Sequence, residues 1–216
     1  MVNHVGCTMK LPPASRARAD SAHRQPIALS GVVLVGGRST RMGRDKARLM
    51  LDGRPLWQRQ LHVLEQAGAQ PVRLALRRAQ RSLGDKTREI RDPLPDVGPL
   101  GGLYAALSAP GSAEWVAVLA VDLPRIEAAW FRRLRKYCRP GIGAVVVHPA
   151  GFEPLAAIYP HAALPIVTRR LARNQLALQG LVQELVRRRL MVAVPRPKAL
   201  ARQTENWNAP GDVRRK

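Results

Sequence analysis

Ala28-Leu29-Ser30-Gly31-Val32-Val33-Leu34-Val35-Gly36-Gly37 is a short, nearly continuous apolar run that stops on two glycines. Such a run without polar alternation reads as a strand buried on both faces, and the glycines read as the loop it feeds. The next segment fixes the fold class. Pro55 opens a stretch in which Leu56, Leu61, Val63, Leu64 and Ala67 are apolar and Gly68 closes it, the punctuation of an amphipathic helix. Val72–Leu76 is strand-like, and 87–91 is a weaker strand ending at Asp92. Residues 98–102 read as a turn before a short helix through Ser108. The apolar run 115–121 is the clearest buried strand and ends at Asp122. A helix is expected over 126–137, strands over 144–148, 155–159 and 191–194, helices over 162–172 and 178–190, and a polar loop over 204–211. Strands alternating with helices of about ten residues make βα units and a mostly parallel sheet. The expectation is an α/β protein: a single-domain, Rossmann-like three-layer sandwich over 28–213, with a basic disordered extension at 1–27 and a short tail at 214–216.

Composition narrows the function classes. With 216 residues and 46% hydrophobic content, a buried core forms and wholesale disorder is excluded. No run approaches the roughly 18 apolar residues of a membrane span. Two cysteines, Cys7 and Cys138, make neither a disulfide framework nor a four-thiolate zinc site, so a reducing, cytoplasmic setting is expected. Residues 1–27 carry Pro12-Pro13 and no apolar core after a basic start, unlike a secretory signal. The net charge is +21, with thirty Arg and six Lys against fifteen acidic residues. That charge favours an anionic partner such as a phosphorylated small molecule, a nucleic acid or a membrane surface. The basic residues are spread along the chain and aromatics are only 4%, too few for a base-stacking platform, so neither nucleic acid nor membrane is the expected partner.

Ligands of open α/β sheets sit at the carboxyl ends of strands, and three such ends carry special residues: Gly36-Gly37, Asp92 and Asp122. The first continues as Leu34-Val35-Gly36-Gly37-Arg38-Ser39-Thr40-Arg41-Met42-Gly43-Arg44-Asp45-Lys46. Glycines let the backbone approach a ligand and aim N–H groups at it, and Arg41 and Lys46 add positive charge, so the segment reads as a phosphate cradle. It is neither a Walker A loop, lacking a Gly-Lys pair, nor Gly-x-Gly-x-x-Gly. A lysine just after such a loop, in a chain that otherwise uses arginine, suits a mobile phosphate better than a rigid guanidinium fork does. Asp122, followed by Leu123-Pro124, is either a helix cap or a metal ligand. Magnesium takes only one or two protein carboxylates plus phosphate oxygens and water, so few acidic residues suffice. Asp92, before Pro93, is either a turn initiator or a ligand contact. Asn206 and Asn208 supply two amides near the end of the core, in what is otherwise an ordinary polar loop. The histidines form no pair at metal-ligand spacing, and no nucleophilic triad is visible.

The segment from Leu34 to Lys46 resembles the signature Leu-Ala-Gly-Gly/Ala-x-Ser-x-Arg-Met-Gly-x-Asp-Lys of nucleotidyltransferases with a glycosyltransferase-A-like fold. Within that superfamily the likeness is to the molybdenum cofactor guanylyltransferases. It is carried in order by Gly53-Arg54-Pro55-Leu56, by Asp92 through Gly98-Pro99-Leu100-Gly101-Gly102-Leu103, by Val121-Asp122-Leu123-Pro124, by Glu153-Pro154-Leu155 and by Asn206-Trp207-Asn208-Ala209-Pro210. The resemblance implies transfer of GMP from MgGTP to the phosphate of molybdenum-bearing molybdopterin, with release of pyrophosphate. It implies nucleotide binding by Leu34, Val35, Gly36, Gly37, Lys46, Asp92 and Asp122, with Mg2+ on Asp122. Arg41, Lys46 and Asp122 would be catalytic, and Pro99, Leu100, Gly101, Pro154, Asn206 and Asn208 would lie on the substrate side. Transient contact with molybdoenzymes or their chaperones would follow. The departures are Val35 for the usual Ala, Ala120-Val121 where Pro-Cys is common, and Ala75 where some members carry an Asn near the guanosine. Cytidylyl or sugar-phosphate nucleotidyl transfer is the alternative within enzymes, and a basic nucleotide- or nucleic-acid-binding module without turnover is the alternative outside them.

Overall fold

The computed structural model describes residues 28–36, 46–111, 113–197 and 203. In chain order they form β1 (Leu29–Leu34), β2 (Met50–Leu51), β3 (Arg54–Pro55), α1 (Leu56–Gln66), β4 (Val72–Leu76), β5 (Glu89–Arg91), α2 (Pro99–Ser108) and β6 (Trp115–Ala120). Then follow α3 (Ala128–Arg135), β7 (Gly143–His148), β8 (Gly151–Phe152), β9 (Ala156–Pro160), α4 (Leu164–Ala172), α5 (Leu178–Arg187) and β10 (Met191–Pro195). Gly37, Arg41, Asn206 and Asn208, the 1–27 extension and the 204–211 loop lie outside the described residues.

One sheet runs β10-β7-β9-β6-β1-β4-β5, with β8 paired to β7. The pairings β1–β4, β1–β6, β4–β5 and β7–β10 are parallel, whereas β9 runs antiparallel to both β6 and β7. The mostly parallel α/β sandwich is therefore present, with one reversed strand inside it. Both faces are covered, which is why β1 and β6 are buried along their whole length. On one face Leu29, Val33 and Val35 meet Leu56 and Leu64 of α1 and Trp130 and Phe131 of α3. On the other, Val32 and Leu34 meet Leu100 and Leu103 of α2, Val167 of α4 and Leu181 of α5. Trp130 is fully buried, and its indole N–H donates to the Ala156 carbonyl at 2.8 Å, tying α3 to β9.

The segment read as a turn at 98–102 is already helix. Gly98 takes φ +63°, which glycine tolerates, Pro99 starts α2 with its fixed φ, and Gly101 and Gly102 lie inside the first turns. Close approach explains those interior glycines: a Cβ on Gly102 would stand 2.8 Å from Leu34 Cδ2, and one on Gly101 would collide with the Asp92 carboxylate. The β2–β3 hairpin, turned by Asp52 and Gly53 at φ 50° and 77°, is a further element that the apolar pattern did not reveal.

Candidate nucleotide and metal site

Strand β1 ends between two features. On its β4 side, Leu34, Gly36, Ala75, Arg77, Asp92, Gly98 and Pro99 line a cleft over the carboxyl ends of β1, β4 and β5. The backbone holds this edge tightly: Val35 N–H donates to Ala75 O at 3.1 Å and Asp92 N–H to Leu76 O at 2.9 Å. A Cβ on Gly36 would stand 2.8 Å from Arg77 Cγ, so only glycine lets the guanidinium stem cross the strand end. Asp92 is 6% exposed, and Leu94 N–H donates to its Oδ1 at 2.9 Å. It is therefore a turn initiator and a cleft residue at once. Burial pushes its pKa up, and the Leu94 N–H partly offsets that. Val35 and Leu100 turn their side chains into the two core layers, so only their backbone is left for a ligand.

On the other side of β1, Val121 N–H donates to Leu34 O at 3.1 Å, which brings Asp122 beside the loop entry. Asp122 is not a helix cap: α3 starts at Ala128, its N-cap is Glu127, and no side chain caps it. The Asp122 Oδ1 is buried and accepts no hydrogen bond among the described residues. Burial raises the Asp122 pKa, and the Lys46 ammonium opposes the rise, so the lysine that follows the glycine loop sits within electrostatic reach of this carboxylate. Among the described residues no group of three or more His, Cys, Asp or Glu is arranged to hold a metal. An orphaned carboxylate oxygen nevertheless fits a divalent cation whose other ligands are phosphate oxygens and water.

A second carboxylate lies near Asp122. The β6–β9 pairing runs from Trp115↔Pro160 to Leu119↔Ala156, and Ala120 N–H still donates to Leu155 O at 2.9 Å. Beyond that pair both chains turn, over Ala120–Leu123 and Glu153–Ala156, and Asp122 lies near enough to Glu153 for its charge to act on the Glu153 carboxyl. Glu153 N–H donates to Val146 O at 2.9 Å, and the buried Tyr159 hydroxyl donates to the adjoining Pro154 carbonyl at 2.9 Å, so the segment is anchored on both sides. Burial pushes the Glu153 pKa up to about 7; the Asp122 charge adds to the rise, while Leu155 N–H and Arg196 oppose it. The sequence places Glu153 within the substrate-side Glu153-Pro154-Leu155 likeness, but its nearness to Asp122 depends on strand pairing that a linear pattern does not show.

That raised pKa has a sign for stability. Between the ordinary value of 4.5 and about 7 the unfolded chain has lost this proton and the folded one keeps it, so stability falls as pH rises through that window. With divalent cations chelated, Glu153→Gln should match the natural protein at pH 4. At pH 8 it should be the more stable by about 3 kcal/mol, since each pKa unit between 4.5 and about 7 is worth about 1.4. Parallel denaturant melts of the two proteins that do not diverge with pH would refute this.

Comparison with known proteins gives the family of this fold. Residues 31–193 match the family described as MobA-like NTP transferase domain, and the chain belongs to that family. It is a nucleotidyltransferase. A relative from Opitutus terrae, named a probable molybdenum cofactor guanylyltransferase, is 52% identical over 187 residues, covering 86% of this chain and 93% of the relative. Molybdopterin-guanine dinucleotide biosynthesis protein A from Archaeoglobus fulgidus shares the fold, with a TM-score of 0.64 and 23% identity over 86% of this chain and 95% of that one. A Mycobacterium tuberculosis protein solved in complex with manganese shares it with a TM-score of 0.52 and 22% identity over 79% of this chain and 90% of that one. Among the described residues no helix is long and apolar enough to cross a membrane.

Proposed function

We propose that this protein transfers GMP from GTP to the terminal phosphate of the molybdenum-bearing molybdopterin cofactor and releases pyrophosphate, with Mg2+ as the cation. The observation that carries the reading is the pairing of a glycine-rich strand end with an orphaned buried carboxylate, Asp122, near Lys46. The 52% identity to the Opitutus terrae guanylyltransferase supports the choice of reaction.

In this reading the nucleoside occupies the cleft beside Leu34, Ala75 and Pro99, with Asp92 as a polar contact. Gly36, Gly37, Arg41 and Lys46 receive the triphosphate, and Asp122 holds the cation with Glu153 near it. A Mg2+ ion held there would supply neutralisation of the negative charge on the phosphates. The acceptor is already an anion, so no strong general base is needed, in keeping with a site built from a lysine and carboxylates. Lys46 pairs with the leaving pyrophosphate, and its charge also opposes the rise that burial imposes on the Asp122 pKa. Pro154, Asn206 and Asn208 are assigned to the acceptor side, and Leu100 and Gly101 to the wall that carries Asp92. The net charge of +21 favours capture of two polyanionic substrates and makes that capture weaken with salt. The protein acts in the cytoplasm and passes its product to molybdoenzymes or their chaperones.

Base selection is the discriminating test. Ala75 offers a methyl group, and no amide, to the cleft. GTP should exceed CTP by about tenfold in kcat/KM, the discrimination a shape-selective pocket supplies. Pyrophosphate release with molybdenum-loaded molybdopterin and each nucleotide measures it. Faster turnover with CTP would replace the guanylyl reading with a cytidylyl one, and no release with any nucleotide would favour a binding module.

A further inference from the structure

Gln60 of α1 is fully buried beside the core, an unusual place for a primary amide. Its Nε2 donates to Leu123 O at 2.6 Å and to Ala120 O at 3.3 Å. Leu123 N–H also donates to Ala120 O, at 3.3 Å, so these two carbonyls belong to the first and last residues of the four-residue turn that carries Asp122. Both groups facing the amide are acceptors, which fixes the NH2 end toward the turn. The other end is left wanting: Gln60 Oε1 is buried and has no partner among the described residues. Next to it, Arg59 Nε donates to Pro124 O at 2.8 Å, one residue beyond the turn.

We propose that Gln60, assisted by Arg59, is a positioning residue that clamps the Ala120–Leu123 turn from behind and so fixes the direction of Asp122 toward the divalent cation. This rests on the assignment of Asp122 as the cation ligand. Burying a carboxamide with one end unsatisfied costs stability, and an apolar side chain of similar shape carries no such orphan. What Gln60 provides in return is rigidity in the turn that carries the Asp122 carboxylate. A supporting partner of a metal ligand typically governs affinity by about 10–100-fold.

The test is Mn2+ titration followed by electron paramagnetic resonance, with GTP at fixed concentration and a protein-free MnGTP control, on the full chain and on Gln60→Met, Arg59→Met and Asp122→Asn. Gln60→Met should bind Mn2+ about 10–100-fold more weakly, and its apparent Mg2+ requirement in turnover should rise by a similar factor. Arg59→Met, at a partly exposed site, should show the same change in smaller measure with an unchanged melting temperature. A merely structural Gln60 would lower the melting temperature and leave the Mn2+ affinity of the folded fraction untouched. If Gln60→Met does not fold, Arg59→Met decides, and natural affinity in it overturns the proposal. If Asp122→Asn weakens Mn2+ binding and Gln60→Met does not, this inference fails alone. If Asp122→Asn binds Mn2+ as well as the natural protein, the cation assignment beneath it fails.

Discussion

Replacing Asp122 by Asn should leave the protein folded and lower guanylyl transfer by about 10²–10³-fold, the usual loss when one preorganised electrostatic group is removed. The side chain keeps its size, and the turn that carries it is closed by Leu123 N–H and the Gln60 amide, neither of which uses the Asp122 carboxylate. Stability should if anything rise, because burial of the ionised group near Glu153 is unfavourable and only Lys46 and the Asp122 N–H offset it. The cation, by contrast, loses its charged ligand, so the apparent Mg2+ requirement should climb and saturating Mg2+ should restore only part of the rate. Melting temperature and pyrophosphate release measured on the same preparation separate the two effects. A folded Asn variant with near-natural transfer would remove Asp122 from the metal site.

The sequence carried the strand ends well because each coincides with an abrupt chemical change. Apolar runs stopping at Gly36 and Asp122 mark the carboxyl edge of a parallel sheet whatever the rest of the chain does, whereas the polar stretch 87–91 before Asp92 is the weaker signal. The direction of β9 was not legible, since a strand buried on both faces has the same composition in either orientation. With it went the nearness of Asp122 to Glu153, whose segments the β6–β9 pairing brings together. Gln60 was lost for a related reason. It lies on the apolar face of α1, and its partners are 60 and 63 residues away. A polar residue in an apolar helical stripe was the one available signal. Gly101 and Gly102 were read as turn formers on local preference alone; contacts with Asp92 and Leu34 override that preference and place them in a helix.

Gly101→Ala gives the second large effect, and its sign runs against helix propensity. In an exposed helix the change would stabilise by about 0.8–1 kcal/mol. Here the new methyl would run into the Asp92 carboxylate, which is held in place by Leu94 N–H on its Oδ1 and by Asp92 N–H on Leu76 O. Either α2 lifts from the sheet or the Asp92 turn opens, and overpacking of this kind costs about 1–3 kcal/mol. Both movements distort the cleft wall formed by Pro99, Gly98 and Asp92, so KM for GTP should rise about tenfold or more, since small misplacements in a binding wall weaken every contact made there. A double-mutant cycle isolates the collision from any general effect on the helix. Asp92→Ala removes the obstructing carboxylate, and in that background Gly101→Ala should become neutral or stabilising by up to about 1 kcal/mol. Denaturant melts of the four proteins measure the coupling. A penalty of the same size with and without Asp92 would mean that the close approach of Asp92 to α2 is not what requires glycine at 101.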